Sequence, residues 1–163
     1  MPNPMPTAPL WRRLAAIVYD LLAVIAIVMV VGLLAQMATG GRLADEHGQL
    51  LTWWYQPLQG LVVGAYFFMS WLRGGQTLGM RPWRIRVTDQ TGRPLTWQRT
   101  LLRLLIAALP VALLTIYPFT SLRVAAWAPV VGWAVLIAPA LLDARGRTLY
   151  DRVAGTEVRP LST

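Results

Sequence analysis

Cysteine is absent from the 163 residues, and so is lysine. The first absence excludes disulfides, thiolate catalysis and cysteine metal sites. The second excludes a lysine Schiff base and makes all 15 basic residues arginine. Histidine occurs once, as His47. Charge is scarce overall: only 13% of the residues are charged, against about 25% in an ordinary soluble domain. Apolar residues make up 56% of the chain, and its mean hydropathy is +0.49. This balance predicts a membrane protein.

Four spans are expected, at about 14–37, 53–72, 101–119 and 124–142. The last two come from one apolar region, too long for a single crossing of a ~30 Å hydrocarbon core and about right for two. "YPFTSLR", Tyr117 to Arg123, supplies the turn between them, with Pro118 as breaker. Pro110, Pro129 and Pro139 fall within spans, where they kink a helix without forbidding it. A cleaved signal peptide is the rival reading of the first span, because Arg12 and Arg13 precede an apolar run. Asp20 within that run, and the run's length, argue against it. The proline-rich first nine residues are expected to be disordered.

A net charge of +8 is compatible with nucleic-acid binding. Its distribution favours another cause. The loop 73–99 has six arginines against Asp89, and the tail from Asp143 has four arginines against three acids. Arg12 and Arg13 precede the first span. These segments all lie on one side of a four-span protein, and the positive-inside rule makes that side the cytoplasm. Both termini are then cytoplasmic, nucleic acid is not expected as a partner, and anionic headgroups are a compatible one. Trp53, Trp54, Tyr55, Tyr117 and Phe119 would mark the outer interface. Trp11, Trp71 and Trp97 would mark the inner one.

The large loop has a pattern of its own. In "RPWRIRVTDQTGRPLTW", Ile85 and Val87 alternate with arginines, and "DQTG" is a turn signal before "RPL". This is a hairpin pattern. "GTEVRP" in the tail offers a third strand. The fold expected is an all-α membrane domain of four transmembrane helices, residues 1–163, with a small cytoplasmic β-hairpin or sheet.

The chemistry-bearing residues are few. "GGQTLGM" is glycine-rich but lacks the following lysine of a phosphate loop. It reads as a turn leaving the second span, with Gly74, Gly75 and Gly79 allowing unusual dihedrals. His47 beside Asp45 and Glu46 reads as a solvated loop rather than a metal site. No serine, histidine and acid are spaced as a hydrolase requires. No enzyme, cofactor or metal is expected.

Asp20 is the informative residue. A carboxylate at a span centre costs roughly 3 kcal/mol on insertion scales. Arg13 lies seven residues before it on the same helix face, about 10 Å along the axis, which is far for direct pairing. Arg103, near the start of the third span, is the better candidate partner. In "LLDARGRTLYD", Asp143, Arg147 and Asp151 share a helix face if the fourth helix continues. Asp151 has the further options of pairing with Arg147 and of capping the segment before "AGTEV".

Together these pieces resemble the RDD family of bacterial membrane proteins, named for one arginine and two aspartates. "RRLAAIVYD" is similar to its opening, which implies Arg13 and Asp20 as the first two named residues. "GGQTLGMRPWRIRVTDQTGRPLTWQRTLLR" is similar to its central segment. "RTLYDRVAGTEV" is similar to its closing motif, which implies Asp151 as the second aspartate. The chain departs from the pattern at Met80, where a basic residue is frequent, and at Tyr150, where histidine is. The resemblance implies the bacterial plasma membrane as location and transport as activity. Ion or small-solute transport is therefore the expectation, through a homo-oligomer because four helices are few to enclose a path and a gate. A membrane scaffold or accessory subunit, with purely structural charges, is the alternative.

Overall fold

The computed structural model describes residues 7–44, 50, 52–114, 120–143 and 145–161. In chain order it contains α1 (Leu10–Ala38), α2 (Tyr55–Gly74), β1 (Ile85–Asp89), α3 (Trp97–Ala112), α4 (Leu122–Ile137), α5 (Pro139–Leu142), α6 (Leu149–Ala154) and β2 (Thr156–Pro160). The expectations for His47 with Asp45 and Glu46, for Tyr117 and Phe119, and for the first six residues lie outside the described set.

Two helical stretches among the described residues are long and apolar enough to cross a membrane, Leu10–Ala38 and Leu122–Leu142. α1 has 29 residues and so runs about 43 Å. Along it, Leu22, Met29, Leu33 and Met37 are all more than half exposed. Exposed side chains of this kind on a long helix fit a lipid solvent. α2 and α3, with 20 and 16 residues, occupy the other two expected spans. Both carry polar or charged side chains, Gln56 and Gln59 in one and Gln98, Arg99 and Arg103 in the other.

Neighbouring helices pack in chain order: α1 on α2, α2 on α3 and α3 on α4. Small residues set these approaches. A Cβ on Gly32 would lie 2.9 Å from the Tyr55 hydroxyl, and one on Gly132 would lie 2.9 Å from Cβ of Pro110. Polar bonds add to them. The Gln59 amide donates to the Val28 carbonyl at 3.3 Å, and the Trp133 indole donates to the Ala107 carbonyl at 3.0 Å.

The expected hairpin is half correct. "DQTG" does form the turn: Gly92 has φ +87°, and Asp89 Oδ1 accepts from the backbone N–H groups of Thr91 and Arg93, each at 2.8 Å. The segment after it, "RPL", is not a strand, because Pro94 has no N–H to give to a ladder. β1 pairs instead with β2 from the tail, antiparallel, with Val87 opposite Val158. Each outer edge of this two-stranded sheet is covered. Val87 N–H donates to the Gly75 carbonyl at 2.7 Å, and Ala8 N–H donates to the Val158 carbonyl at 2.9 Å. Ala8 is therefore ordered and buried, contrary to the disorder expected for all nine N-terminal residues.

The core lies where this sheet meets one end of the helices. Ala16, Trp71, Ile85, Val87, Leu95 and Val158 form it, with Phe67 and Met80 packed against them. Trp71 belongs to this core and is not an interface anchor; Trp83, half-buried, packs against the core and stands edge-on to Trp11 and Tyr19 at 5.4 and 5.9 Å.

The turn after α2 reaches back into the helices. Gly75 takes φ +67°, and the chain from Thr77 to Gly79 then lies directly on α1. A Cβ on Gly79 would be 2.3 Å from the Ala16 carbonyl oxygen and 2.6 Å from Asp20 N, both rigid backbone. Of the three glycines expected to need special dihedrals, Gly75 has one, Gly79 is required by close approach, and Gly74 is simply helical. Gly79→Ala should destabilise the protein by about 1–3 kcal/mol, as overpacking does. Gly60→Ala, in mid-α2 with open space at the Cβ position, should be neutral or stabilising by up to about 1 kcal/mol. Melting temperatures of the two purified variants in one detergent would check this; equal values would refute the close contact at Gly79.

Candidate functional site

Two buried carboxylates, Asp20 and Asp151, line one small cavity, with different companions.

Asp20 is 7% exposed, and its partners are neutral. Its Oδ1 accepts from the Tyr66 hydroxyl at 2.9 Å and from the Gly79 N–H at 2.9 Å. Its Oδ2 accepts from the Thr77 hydroxyl at 2.5 Å. The same groups support one another: Tyr66 Oη accepts from Leu78 N–H at 3.0 Å, and Thr77 Oγ1 from Met80 N–H at 3.3 Å. Asp20 thereby pins the Thr77–Gly79 turn to α1. The expected partner, Arg103, is bound elsewhere. The turn after Gly75 supplies the donors to Asp20, and Arg103 pairs with Asp151.

Asp151 is fully buried and holds the cations. Arg103 forms an ion pair with its Oδ1 and also donates to Thr156 Oγ1 at 2.7 Å. Arg13 lies 3.8 Å from its Oδ2. Thr148 caps α6: its hydroxyl donates to Asp151 Oδ2 at 2.7 Å, and it accepts from Asp151 N–H at 3.3 Å. The Arg103 guanidinium is sandwiched between two aromatic rings, with Trp71 at 4.9 Å and Tyr150 at 4.7 Å. Such stacking suits arginine and no lysine, and it gives Tyr150, the departure from the family pattern, a defined task. Burial alone raises the Asp151 carboxyl, but the Arg103 charge, the Thr148 hydrogen bond and the Arg13 charge outweigh it and hold the group below the ordinary carboxylate range. Burial pushes the Tyr150 phenol up.

Arg13 does more than neutralise. Its Nε donates to the Ala8 carbonyl at 3.0 Å and its Nη2 to the Val158 carbonyl at 3.1 Å. Its Nη1 donates to the Gly146 carbonyl. One side chain on α1 therefore ties together the N-terminal segment, the loop before α6 and strand β2.

Asp143 and Arg147 do pair, at 3.1 Å, but not on a helix. α5 ends at Leu142, and Gly146 turns the chain with φ +60°. Asp143 accepts from the backbone N–H of Arg145 and of Arg147, at 3.2 and 2.9 Å, and from the Arg152 guanidinium at 2.9 Å. Bonds from Arg147 hold its carboxyl well below the usual range. It organises a turn and does not reach Asp151, so the expected shared face of Asp143, Arg147 and Asp151 does not form.

The cavity has a volume of about 40 Å³ and touches Arg13, Asp20, Arg103, Thr148, Tyr150 and Asp151. That admits a few water molecules or a small ion but no organic solute. Among the described residues, no three His, Cys, Asp or Glu side chains gather as a metal site would require. Several of the residues that build this site were not singled out from sequence. Trp71 reads there only as an interface residue, and Tyr66 and Thr77 leave no mark. Thr148 does, because "TLYD" has the spacing of a capping box.

The RDD family model matches residues 7–155, which is nearly the whole chain, and the chain belongs to that family. No curated protein matches it, and neither does any solved structure. Family membership together with the two long apolar helices makes it a membrane protein.

The Asp151 cluster carries a pH signature. Its native carboxyl lies below the unfolded value of about 3.9, so its stabilisation is fully present above that value and is lost as pH falls through the native one. Melting temperature in detergent should fall steeply below about pH 4 in the wild type and less steeply in Asp151→Asn, whose baseline stability is lower by about 3–5 kcal/mol because Arg103 is left buried and unpaired. Parallel acid limbs for the two proteins would refute the assignment.

Proposed function

We propose, with RDD membership as the premise, that the protein is a four-span protein of the bacterial plasma membrane whose oligomer passes a proton or small cation by way of Asp20. The single observation carrying this reading is the state of Asp20. It is a buried carboxylate with three neutral donors and, among the described residues, no ion pair, and it lines a small cavity shared with a second carboxylate. Intramembrane carboxylates of this kind are the usual coupling groups of ion pathways. The size of the cavity narrows the cargo from any small solute to an ion or a proton.

The four spans are α1, α2, α3 and α4 with α5, and the sheet and both termini lie in the cytoplasm. Support comes from charge and from shape. All six arginines of the 73–99 loop are exposed, at the same end as Trp11, Tyr19 and Trp83. That surface suits the inner headgroup layer, where each basic residue near anionic lipid is worth about 1 kcal/mol. The reading assigns the chain no catalysis, no cofactor and no nucleic acid. A homo-oligomer is part of it, because one chain encloses only a small cavity. A scaffold role is the second reading, and the ion-paired Arg13–Asp151–Arg103 cluster favours it.

Topology is tested with single cysteines at Thr39, Gln90 and Ser162 in a chain that has none of its own. A membrane-impermeant thiol reagent on intact cells should label position 39 alone; labelling at 90 or 162 would overturn the orientation. Function is tested by flux of protons and monovalent cations in liposomes. Asp20→Asn should abolish flux while melting within a few degrees of wild type. The asparagine oxygen still accepts from Gly79 and Tyr66, and its amide can donate to the Thr77 hydroxyl, which rotates to accept. Undiminished flux in this variant would remove Asp20 from the path. Wild-type flux no greater than that of empty liposomes would leave the scaffold.

A further inference from the structure

The far ends of α3 and α4 play no part in the site above, yet they frame an open groove of about 570 Å³. Leu113 stands on one side and Trp127 and Val131 on the other, with Ala128 and Gly132 adding little bulk between. Its lining is apolar but for Arg123 at the mouth. Trp127 and Val131 are 61% and 58% exposed, so the protein itself leaves them uncovered. We propose that this groove binds one acyl chain of an anionic glycerophospholipid, with the Arg123 guanidinium on the lipid phosphate.

The charge on Arg123 is the first argument. It stands in the first turn of α4, exposed, and among the described residues no hydrogen bond or ion pair engages its side chain. No acid occurs between Asp89 and Asp143 in the sequence, so neither α3 nor α4 can neutralise it. In the four-span topology, on which this inference rests, Arg123 lies at the outer surface, the side that positive-inside topology keeps poor in arginine. An unpaired arginine there calls for an anion at headgroup level. The start of α4 adds to the demand. The Ser121 hydroxyl accepts from Val124 N–H at 3.4 Å, and the other N–H groups of the first turn present the positive end of a 16-residue helix.

Depth is the second argument. Val124 to Gly132 is eight residue steps, about 12 Å of helix. This is close to one leaflet, half of a ~30 Å core. A groove that starts at a phosphate-binding arginine and ends near the midplane has the dimensions of one lipid's chain. A second copy of this chain fits less well. The single acid in its four long helices is Asp20, which lies toward the opposite end, so a copy brings apolar surface to the groove, and any anion it offers Arg123 must come from Asp45 or Glu46 of its outer loop. An anionic headgroup is favoured over a zwitterionic one because it carries no ammonium to oppose the arginine.

The test uses the full chain in phosphatidylcholine vesicles, with tryptophan quenching by brominated phosphatidylglycerol or brominated phosphatidylcholine. Subtracting the signal of Trp127→Phe isolates Trp127. Phosphatidylglycerol should quench Trp127 at about fivefold lower mole fraction than phosphatidylcholine, the scale of one arginine at an anionic headgroup. Arg123→Gln should erase that preference. Ala128→Leu, which fills the groove and keeps the arginine, should weaken quenching by both lipids. Equal quenching in the wild type, a preference that survives Arg123→Gln, or quenching unchanged by Ala128→Leu would each overturn the proposal. So would a Trp127 shielded from both lipids until the protein is diluted in the vesicles, because a second copy would then fill the groove. Cysteine labelling at position 39 reads the topology separately, so a lost lipid preference with position 39 outside counts against the lipid site alone.

Discussion

The buried carboxylate of Asp151 is the point on which the sheet end of the structure depends. A buried charge is tolerated only when paired and hydrogen-bonded, and satisfying this one recruits parts of the chain that are remote in sequence. Arg103 comes from the start of α3, Arg13 from the start of α1, and Thr148 and Thr156 from the tail. Each of those side chains is held by something further: Arg103 by two aromatic rings, Arg13 by three backbone carbonyls. The arginines also carry the sheet, because Arg13 and Ala8 share the Val158 carbonyl. A pair of this kind contributes little net stability over an apolar substitute but penalises every arrangement that breaks it. Its effect is to specify one register of β2 against one rotation of α1.

Asp20 solves the same problem by other means. Its donors are a phenol, a hydroxyl and a peptide N–H, so its charge is solvated and not cancelled. That difference separates the two aspartates in chemistry although the family pattern names them alike. A carboxylate cancelled by two guanidinium groups has little freedom to exchange a proton or hold a cation. In the proposed reading, a carboxylate held by neutral donors meets whatever enters the cavity without first breaking an ion pair. Glycine at 79 is what permits this, since any side chain there would push the donor turn off α1.

The sequence made much of this legible and hid the rest for definable reasons. The lengths of the apolar runs located the helices, and alternation and turn chemistry located β1, the turn at Gly92 and the tail strand. The wrong strand pairing came from giving "RPL" to a hairpin when Pro94 forbade it. Arg13 and Asp151 come together and Asp20 lines the same cavity, but the expected partner of Asp20, Arg103, pairs with Asp151 instead. Depth along a span places two charges at one level without saying which way either points, and the Thr77–Gly79 turn that intervenes reads in sequence as a mere exit from α2. Trp71 was taken as an interface anchor because its position near a span end allowed that. Its stacking on Arg103 depends on the rotation of α2, which an all-round apolar helix leaves unspecified.

The two ends of the bundle are held unequally, and this bears on how a path past Asp20 is completed. At the sheet end, ion pairs and a backbone ladder join α1, α3, α6 and β2. Toward the other end only neighbouring helices are tied, through Gln59 and Gly32 for α1 with α2 and through Trp133 and Gly132 for α3 with α4. α1 and α4 scarcely meet, and their apolar faces are exposed. In a bilayer those faces cost nothing to leave against lipid, so no force within one chain draws them together. A single chain thus closes a polar pocket at one end and leaves the route to the other end unlined. The reading of Asp20 as an ion-coupled group therefore requires a second copy along α1 or α4, while the scaffold reading requires none. The distinction between the two roles rests on what meets the open side of α1.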